Sequence, residues 1–416
     1  MKFGLQGIRT LLASLDHPEK QFASIHIAGT NGKGSTASMI AAMFTAAGYK
    51  TGLYTSPHLV SFHERIRIDG KAISSRAVAR LTSEIMPEVQ LHKNTFFEVV
   101  TAQAFKYFAD AKVDIAIVET GLGGRLDATN ALKPIVSVIT TIGLEHTQIL
   151  GTSLEKIAFE KGGIIKAGIP CVTGVRSQKA LHVLTSICKK NKSRLVRIHP
   201  DDIHIRRSSL DGLLVDFYVA GEKIRNVCVA LAGRHQAMNA LLALQTIEIA
   251  AQQSNFTVAE KAIREGLCNI QHYAGLQARL SIVQKKPLVI ADVAHNPDGI
   301  RVLCASLQHL QLGKFHIVFG LMQDKNFPAI LLALRQIAKS VFVVQAQIER
   351  SRSTPELAQG FRRIGVPVKE YLHVSDGVSS ALKQRDGVPI LITGSHFVVG
   401  EAIAFLMKEK YLTINQ

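Results

Sequence analysis

The apolar run "SIHIAG" ends in a loop with glycines at 29, 32 and 34, which passes directly into the helical stretch "STASMIAAMFTAAG". A strand that turns at once into a helix is the first half of a crossover unit, the element from which parallel sheets are built. The chain repeats this pattern. "KTGLYTS", "VDIAIVETG", "PIVSVITTIG" and "IPCVTGV" read as further strands, and "FFEVVTAQAFKYFADA" and "SLEKIAFEKGGIIKAG" as helices. The strand runs are apolar throughout rather than alternating, so both faces of the sheet are expected to be covered. "RIRIDGKAI" carries an Asp-Gly hairpin signal. Between 195 and 230 the pattern changes to alternation with turns at Asp211-Gly212 and Gly221-Glu222, which predicts a small antiparallel sheet. Helices are expected at 234–252 and 258–269. From about Leu280 a second strand–helix alternation runs through "PLVIAD", "KFHIVFG", "SVFVVQA", "PVKEYL" and "PILITGS". The length, 416 residues, exceeds what one core usually holds. The expectation is an α/β protein with two domains, 1–277 and 278–416. The first bears the antiparallel appendage, and the second is a Rossmann-like doubly wound unit.

The glycine loop is a phosphate site in outline. Gly29, Gly32 and Gly34 let backbone N–H groups approach an anion, and a helix N-terminus follows. Lys33 adds a cation, and Thr30, Asn31, Ser35 and Thr36 add polar groups. Yet the loop misses the Walker pattern, which ends Gly-Lys-Ser/Thr, because Gly34 separates Lys33 from Ser35. An isolated glycine turn would carry no such reading; a lysine between glycines at a strand–helix junction does.

Composition narrows the partners. Lys and Arg number 49 against 32 Asp and Glu, a formal charge of +17 that favours anionic ligands. The densest basic run, "KKNKSRLVR", reads as a solvated turn and strand edge. With no Trp and 6% aromatic residues, no base-stacking platform is advertised. Cys171, Cys188, Cys228, Cys268 and Cys304 are widely spaced without a CxxC, as expected of buried free thiols in a reducing compartment. "MKFGLQGIRTLLASL" lacks a signal-peptide core and places Leu5, Ile8, Leu11, Leu12 and Leu15 at helical spacing. No apolar run is long enough to span a membrane. A cytoplasmic protein is expected.

"HIAGTNGKGST" followed by "GLYTSPHLVSFHERIRIDG" resembles the folylpolyglutamate synthase/dihydrofolate synthase family of Mur-type ligases, whose loop reads GTNGKGS. The likeness continues in family order through "ETGLGGRLDATN", "IGLEHTQILGTSLEKIAFEKGGIIK", "LAGRHQAMNA", "DVAHNP", "FGLMQDKN" and "TGSHFVVGEA". It implies a P-loop mononucleotide-binding domain followed by the ligase domain. It also implies a set of site residues. Gly29 to Thr36 would hold the ATP phosphates, with Asn239 on adenine, Arg279 on phosphate and Asp292 on ribose. Ser56, Glu119 and His146 would be magnesium ligands, and Lys161, as a carbamate, would hold a second ion. His295 would reach the γ-phosphate or acyl phosphate, joining Lys33 and Lys161 as catalytic. Thr95, Phe96, Phe97 and Glu98, with Leu126, Asp127 and Ala128, would contact the pteroate. The family commonly has Pro-Gly-Arg where this chain reads "LQARL", so Ala278 stands in place of a hinge glycine.

From the residues alone, Glu119 and Asp292 end buried strands, where ligands of open α/β sheets sit and where a bare carboxylate needs a partner. Ser56 could equally begin a Ser-Pro turn, His146 could be a hydrogen-bonded loop residue, and Phe96 and Phe97 could be core. The activity implied is ATP-dependent addition of L-glutamate to dihydropteroate and to folates through an acyl phosphate. The cofactors implied are ATP, Mg2+ as one ion or two, and a monovalent cation. The partners implied are these small molecules, with no nucleic acid and no membrane, acting on a monomer. Two alternatives stand within the class: a folylpolyglutamate synthase only, or another Mur-type amino-acid ligase. The second is disfavoured because the loop is reached by residue 29, which leaves no room for a uridine-nucleotide domain before it. From another class, a nucleotide-binding regulator or nucleic-acid-binding ATPase would show no glutamate-dependent ADP formation.

Overall fold

The computed structural model describes residues 4–409 and residue 411. The outer ends of the two expected domain spans (1–3, 410 and 412–416) lie outside them. In the first half, eight strands form one sheet: β1 (Ala23–Ala28), β2 (Thr51–Tyr54), β3 (Ile66–Ile68), β4 (Lys71–Ala72), β5 (Ile115–Glu119), β6 (Val136–Ile139), β7 (Cys171–Thr173) and β8 (Leu195–Arg197). Their order is β4-β3-β2-β5-β1-β6-β7-β8. All pairs from β2 to β8 in that order are parallel, and β3 and β4 close one edge as an antiparallel hairpin. Asp69 and Gly70 both take left-handed φ, +50° and +75°, as a two-residue hairpin turn demands.

Ile25 and Ile27 of β1 point into one core with Ile115, Ile117, Val136 and Val138, while Val118 and Ala116 of β5 face another core with Phe105 and Phe108. Helix Lys33–Ala46 is buried continuously from Gly34 to Phe44. Its small residues let neighbours close in on all sides, so it shows no polar face. A side chain at Gly266, on helix Glu260–Cys268, would lie 2.7 Å from the Met43 backbone. The antiparallel sheet is β9 (Ile203–Ser209), β10 (Gly212–Val219) and β11 (Glu222–Val229), and Val215 and Phe217 join the first core.

The second half holds β12 (Ser281–Gln284), β13 (Val289–Ala291), β14 (Phe315–Phe319), β15 (Ala338–Val343), β16 (Val368–Glu370) and β17 (Ile390–Thr393), in the order β12-β13-β17-β14-β15-β16. All pairs are parallel except β12–β13. Its faces bury separate cores, with Ile317 and Phe319 on one side and Val318 and Ile392 on the other. The chain enters this half through helix Ile270–Ala274, which Gly275 ends at φ +65°.

Four expectations change. Residues 195–197 are not part of the antiparallel sheet but extend the main one beside β7, because "LVR" follows a crossover helix and inherits its parallel direction. The helix expected over 153–168 stops at Gly162, where Gly162 and Gly163 allow close packing: side chains there would strike Ile187 and Arg125. Strand β12, too short for a periodic signal, was not anticipated. Finally, only Cys171, Cys188 and Cys304 are buried; Cys228 is half-buried and Cys268 exposed, since the latter ends a surface helix.

Candidate active site

The carboxyl ends of β1, β5 and β6 face those of β13 and β17 across a cleft of about 1560 Å³. This is where open α/β sheets bind ligands. The loop after β1 is held open by its neighbours. Thr30 N–H donates to the Thr141 carbonyl (2.8 Å), and the Thr140 and Thr141 hydroxyls donate to the Asn31 carbonyl (2.7 and 3.0 Å). Gly32 caps the helix at φ +87° with no side chain on the first-turn amides, so those N–H groups remain available to an anion. Lys33 Nζ lies 3.9 Å from Glu119 and donates to the Thr30 carbonyl at 3.4 Å. Ser35 and Thr36 are buried behind it, and the Thr36 hydroxyl has no partner.

The place of Gly34 explains the departure from the Walker spacing. A Cβ there would sit 3.4 Å from the Arg279 guanidinium and 3.5 Å from the Glu119 carboxylate. Bare backbone therefore leaves open the point where a charge from each half of the chain converges. Burial raises the Glu119 carboxyl above its ordinary value, against the pull of Lys33 and Arg279. Ser56 N–H donates to Glu119 (3.4 Å), so these two expected magnesium ligands are adjacent. His146, at φ +50°, has no hydrogen bond from its ring among the described residues; burial and then Lys325 lower its pKa to about 4. No group of three or more His, Cys, Asp and Glu that could hold a metal occurs among the described residues. The oxygen donors here, the Glu119 carboxylate above all, are of the kind Mg2+ prefers, whereas the His146 imidazole is not.

Lys161 is not on the cleft wall. It lies beneath the loop, its Nζ donating to the Gly29 carbonyl (2.7 Å), and burial, then Lys33, lowers its pKa to about 7. Gly29 and Thr36 are also behind the wall.

From the second half come Arg279, Asp292 and His295. Asp292 accepts the Leu280 and Ala294 N–H groups (2.9 and 2.8 Å), and burial raises its carboxyl. Burial lowers the Arg279 guanidinium, with Asp292 and Glu119 opposing. Ala278 and Leu280, either side of Arg279, both take left-handed φ (+56° and +51°), the conformation a glycine would favour. Asn239 donates to Gln236 (2.9 Å) and faces Gly32, where a Cβ would meet its Oδ1 at 2.6 Å. His295 is bound at both nitrogens, Nδ1 to the Val293 carbonyl (2.8 Å) and Nε2 to Glu145 (3.0 Å).

At the far end, Thr95 and Glu98 form a capping box for helix Phe96–Asp110, with Glu98 accepting from Thr95 N–H (2.7 Å) and Oγ1 (2.9 Å). Phe96 and Phe97 start that helix; a Cβ at Gly121 would touch Phe97 at 2.5 Å. Asp127 is held by Leu122 N–H (2.8 Å) and Thr129 N–H (3.0 Å), flanked on the wall by Leu126 and Ala128, and burial raises its carboxyl.

Several wall residues escaped the sequence reading. Glu145 binds His295 and Lys325 (3.3 Å) across the cleft. Asn296, behind the wall, escaped that reading too; it donates to the expected Asn31 (2.9 Å) and accepts from it (3.4 Å). Arg65 is 2% exposed, donates Nε to His58 (2.9 Å), lies 5.6 Å over the Phe96 ring and leaves Nη2 unpartnered. It stands in the mixed polar stretch "SFHER" before the hairpin, which gives no sequence signal of burial. His235 and His396 also line the cleft.

A phosphate loop in one half, closed over by a Rossmann-like second half, defines a Mur-type ligase. The Mur ligase middle domain matches residues 27–247, and the Mur ligase glutamate ligase domain matches 278–396. The chain belongs to the dihydrofolate synthase/folylpolyglutamate synthase family, and is thus an ATP-dependent ligase. It is 34% identical over 412 residues to the dihydrofolate synthase/folylpolyglutamate synthase of Bacillus subtilis, covering 96% of this chain and 94% of that one. It is 34% identical to the folylpolyglutamate synthase of Lacticaseibacillus casei, over 94% and 91% of the two chains. Among solved structures, Mycobacterium tuberculosis folylpolyglutamate synthase complexed with ADP and AMPPCP superposes with a TM-score of 0.89 at 33% identity, covering 98% and 96%. Escherichia coli FolC in complex with DHPP and ADP gives 0.88 at 28%, covering 98% and 94%. No helix among the described residues is long and apolar enough to cross a membrane.

Proposed function

We propose that this chain joins L-glutamate to dihydropteroate and, as a second activity, to folates, using ATP. The acceptor carboxylate attacks the γ-phosphate, giving an acyl phosphate and ADP. The glutamate amine then attacks the acyl carbon, and phosphate leaves. The observation that carries the reading is the convergence of Lys33, Glu119 and Arg279 at bare Gly34, at the uncapped N-terminus of helix Lys33–Ala46. Lys33 and the first-turn amides meet the transferring phosphoryl oxygens, where fixed charges act without reorganising. Asp292 accepts the ribose hydroxyls and Asn239 meets the adenine edge. Residues 278–416 close on 1–277 and exclude water from the acyl phosphate. Phe96, Phe97, Leu126 and Ala128 give the pteroate an apolar wall. Thr95, Glu98 and Asp127 hold that wall in shape.

Ser56, Glu119 and His146 would hold Mg2+, which supplies charge neutralisation at the phosphates when bound. The Lys161 amine, close to neutral, is in the form that takes up carbon dioxide, and as a carbamate would place a carboxylate under the loop. The protein is read as a cytoplasmic monomer.

The test is ADP release with ATP, Mg2+ and L-glutamate, comparing dihydropteroate with tetrahydrofolate, with products weighed by mass spectrometry. One glutamyl unit gained on each is the expected result. Turnover on tetrahydrofolate alone would leave a polyglutamate synthase. Turnover on neither would refute the reading.

A further inference from the structure

We propose that His396 is the imidazole that touches the transferring phosphoryl group; this rests on the ATP-dependent ligation above. His295 is the histidine a sequence reading selects, but it is committed. Its two ring nitrogens are both engaged, Nδ1 with the Val293 carbonyl of its own loop at 2.8 Å and Nε2 with the Glu145 carboxylate across the cleft at 3.0 Å. Lys325, also on Glu145 at 3.3 Å, reinforces that clasp.

His396 lies beside it, ring centre to ring centre 5.3 Å. It lines the cleft, and its ring makes no hydrogen bond or ion pair among the described residues. Neither of its nitrogens is sealed away from the open space. Its placement is firm: it is the first residue of helix His396–Met407, whose cap Ser395 accepts the Val398 N–H at 3.1 Å. Lys33 and Arg279, the groups assigned to phosphate, line the same cleft. Burial, then His295, Arg279 and Lys33, holds its pKa well below the ordinary value, so the ring is neutral and offers one N–H and one lone pair. A neutral donor at a helix N-terminus, preset and unsatisfied, gains a bond only when an oxygen arrives in the cleft. His295 is then a positioning residue, acting through Glu145.

The test uses His396→Leu, which keeps the volume, and His396→Gln, which keeps a donor. Affinity for ADP is measured by calorimetry with Mg2+, without and with aluminium fluoride as the phosphoryl mimic, alongside kcat. Wild type should bind ADP more tightly with fluoride. His396→Leu should lose about 10-fold or more of that gain and about 100-fold in kcat, with affinity for ADP alone within about 2-fold. His396→Gln should recover part of both. An unchanged fluoride gain in His396→Leu, no gain in the wild type, or a loss of ADP affinity equal in both variants would overturn the assignment. If the wild type turns over neither acceptor, the amide-forming reading fails while the fluoride titration still judges His396.

Discussion

Lys33 stands at the first turn of a helix that no side chain caps, 3.9 Å from a buried carboxylate. Its ammonium offsets the Glu119 charge until a nucleotide arrives. Lys33→Ala is therefore expected to reduce turnover by at least about 100-fold, while circular dichroism and thermal melting stay near wild type. Normal activity in that variant would remove the phosphate-loop assignment. Ala278 is the opposite case, a residue at odds with its backbone. A left-handed φ on a non-glycine residue costs about 1 kcal/mol. Ala278→Gly should thus raise stability by up to about 1 kcal/mol in urea titration, less whatever entropy the added glycine gives the unfolded chain. A clear loss would mean that the buried Ala278 methyl contributes more packing than the strain at +56° costs.

Among the elements, helix Phe96–Asp110 shows how a site wall is built from a cap. Thr95 and Glu98 satisfy the orphan N–H groups of the first turn, and this fixes where Phe96 and Phe97 emerge. Thr95→Ala should cost about 1 kcal/mol of stability. It should also raise the KM for the folate acceptor more than that for ATP, because the helix start carries the apolar wall and not the phosphate loop. Equal effects on both KM values would place these residues elsewhere in the cycle.

At the scale of the whole molecule, folding seals histidines in neutral form. His26, fully buried on β1 with Nε2 on Thr129 (2.8 Å), is lowered to about 3 by burial and then Lys166. His235 is lowered to about 4 by burial and then Arg279. The unfolded chain binds protons at these positions below about pH 6.5 and the folded chain does not, so stability falls as pH drops from there toward 3 to 4. His26 alone should cost about 2 kcal/mol between pH 6.5 and 5. Urea midpoints measured across that range should decline, and His26→Gln should flatten the slope. A pH-independent midpoint would mean that water reaches the ring.

What the chain determines locally could be read from it. The strand–helix alternation, the Asp69-Gly70 hairpin and the glycine loop depend on periodicity and on φ preferences carried by neighbouring residues. So does the end of β5 at Glu119. The tertiary structure alone decided which groups meet. Glu145 finds His295 and Lys325, Asn31 finds Asn296, and Gly34 leaves room for Arg279, across separations of a hundred residues and more. The same holds for which histidine is spent and which is free, and for the burial that raises Glu119 and lowers Lys161. Such pairings leave no local trace, because a side chain's partners and its desolvation come from distant segments that only packing brings together.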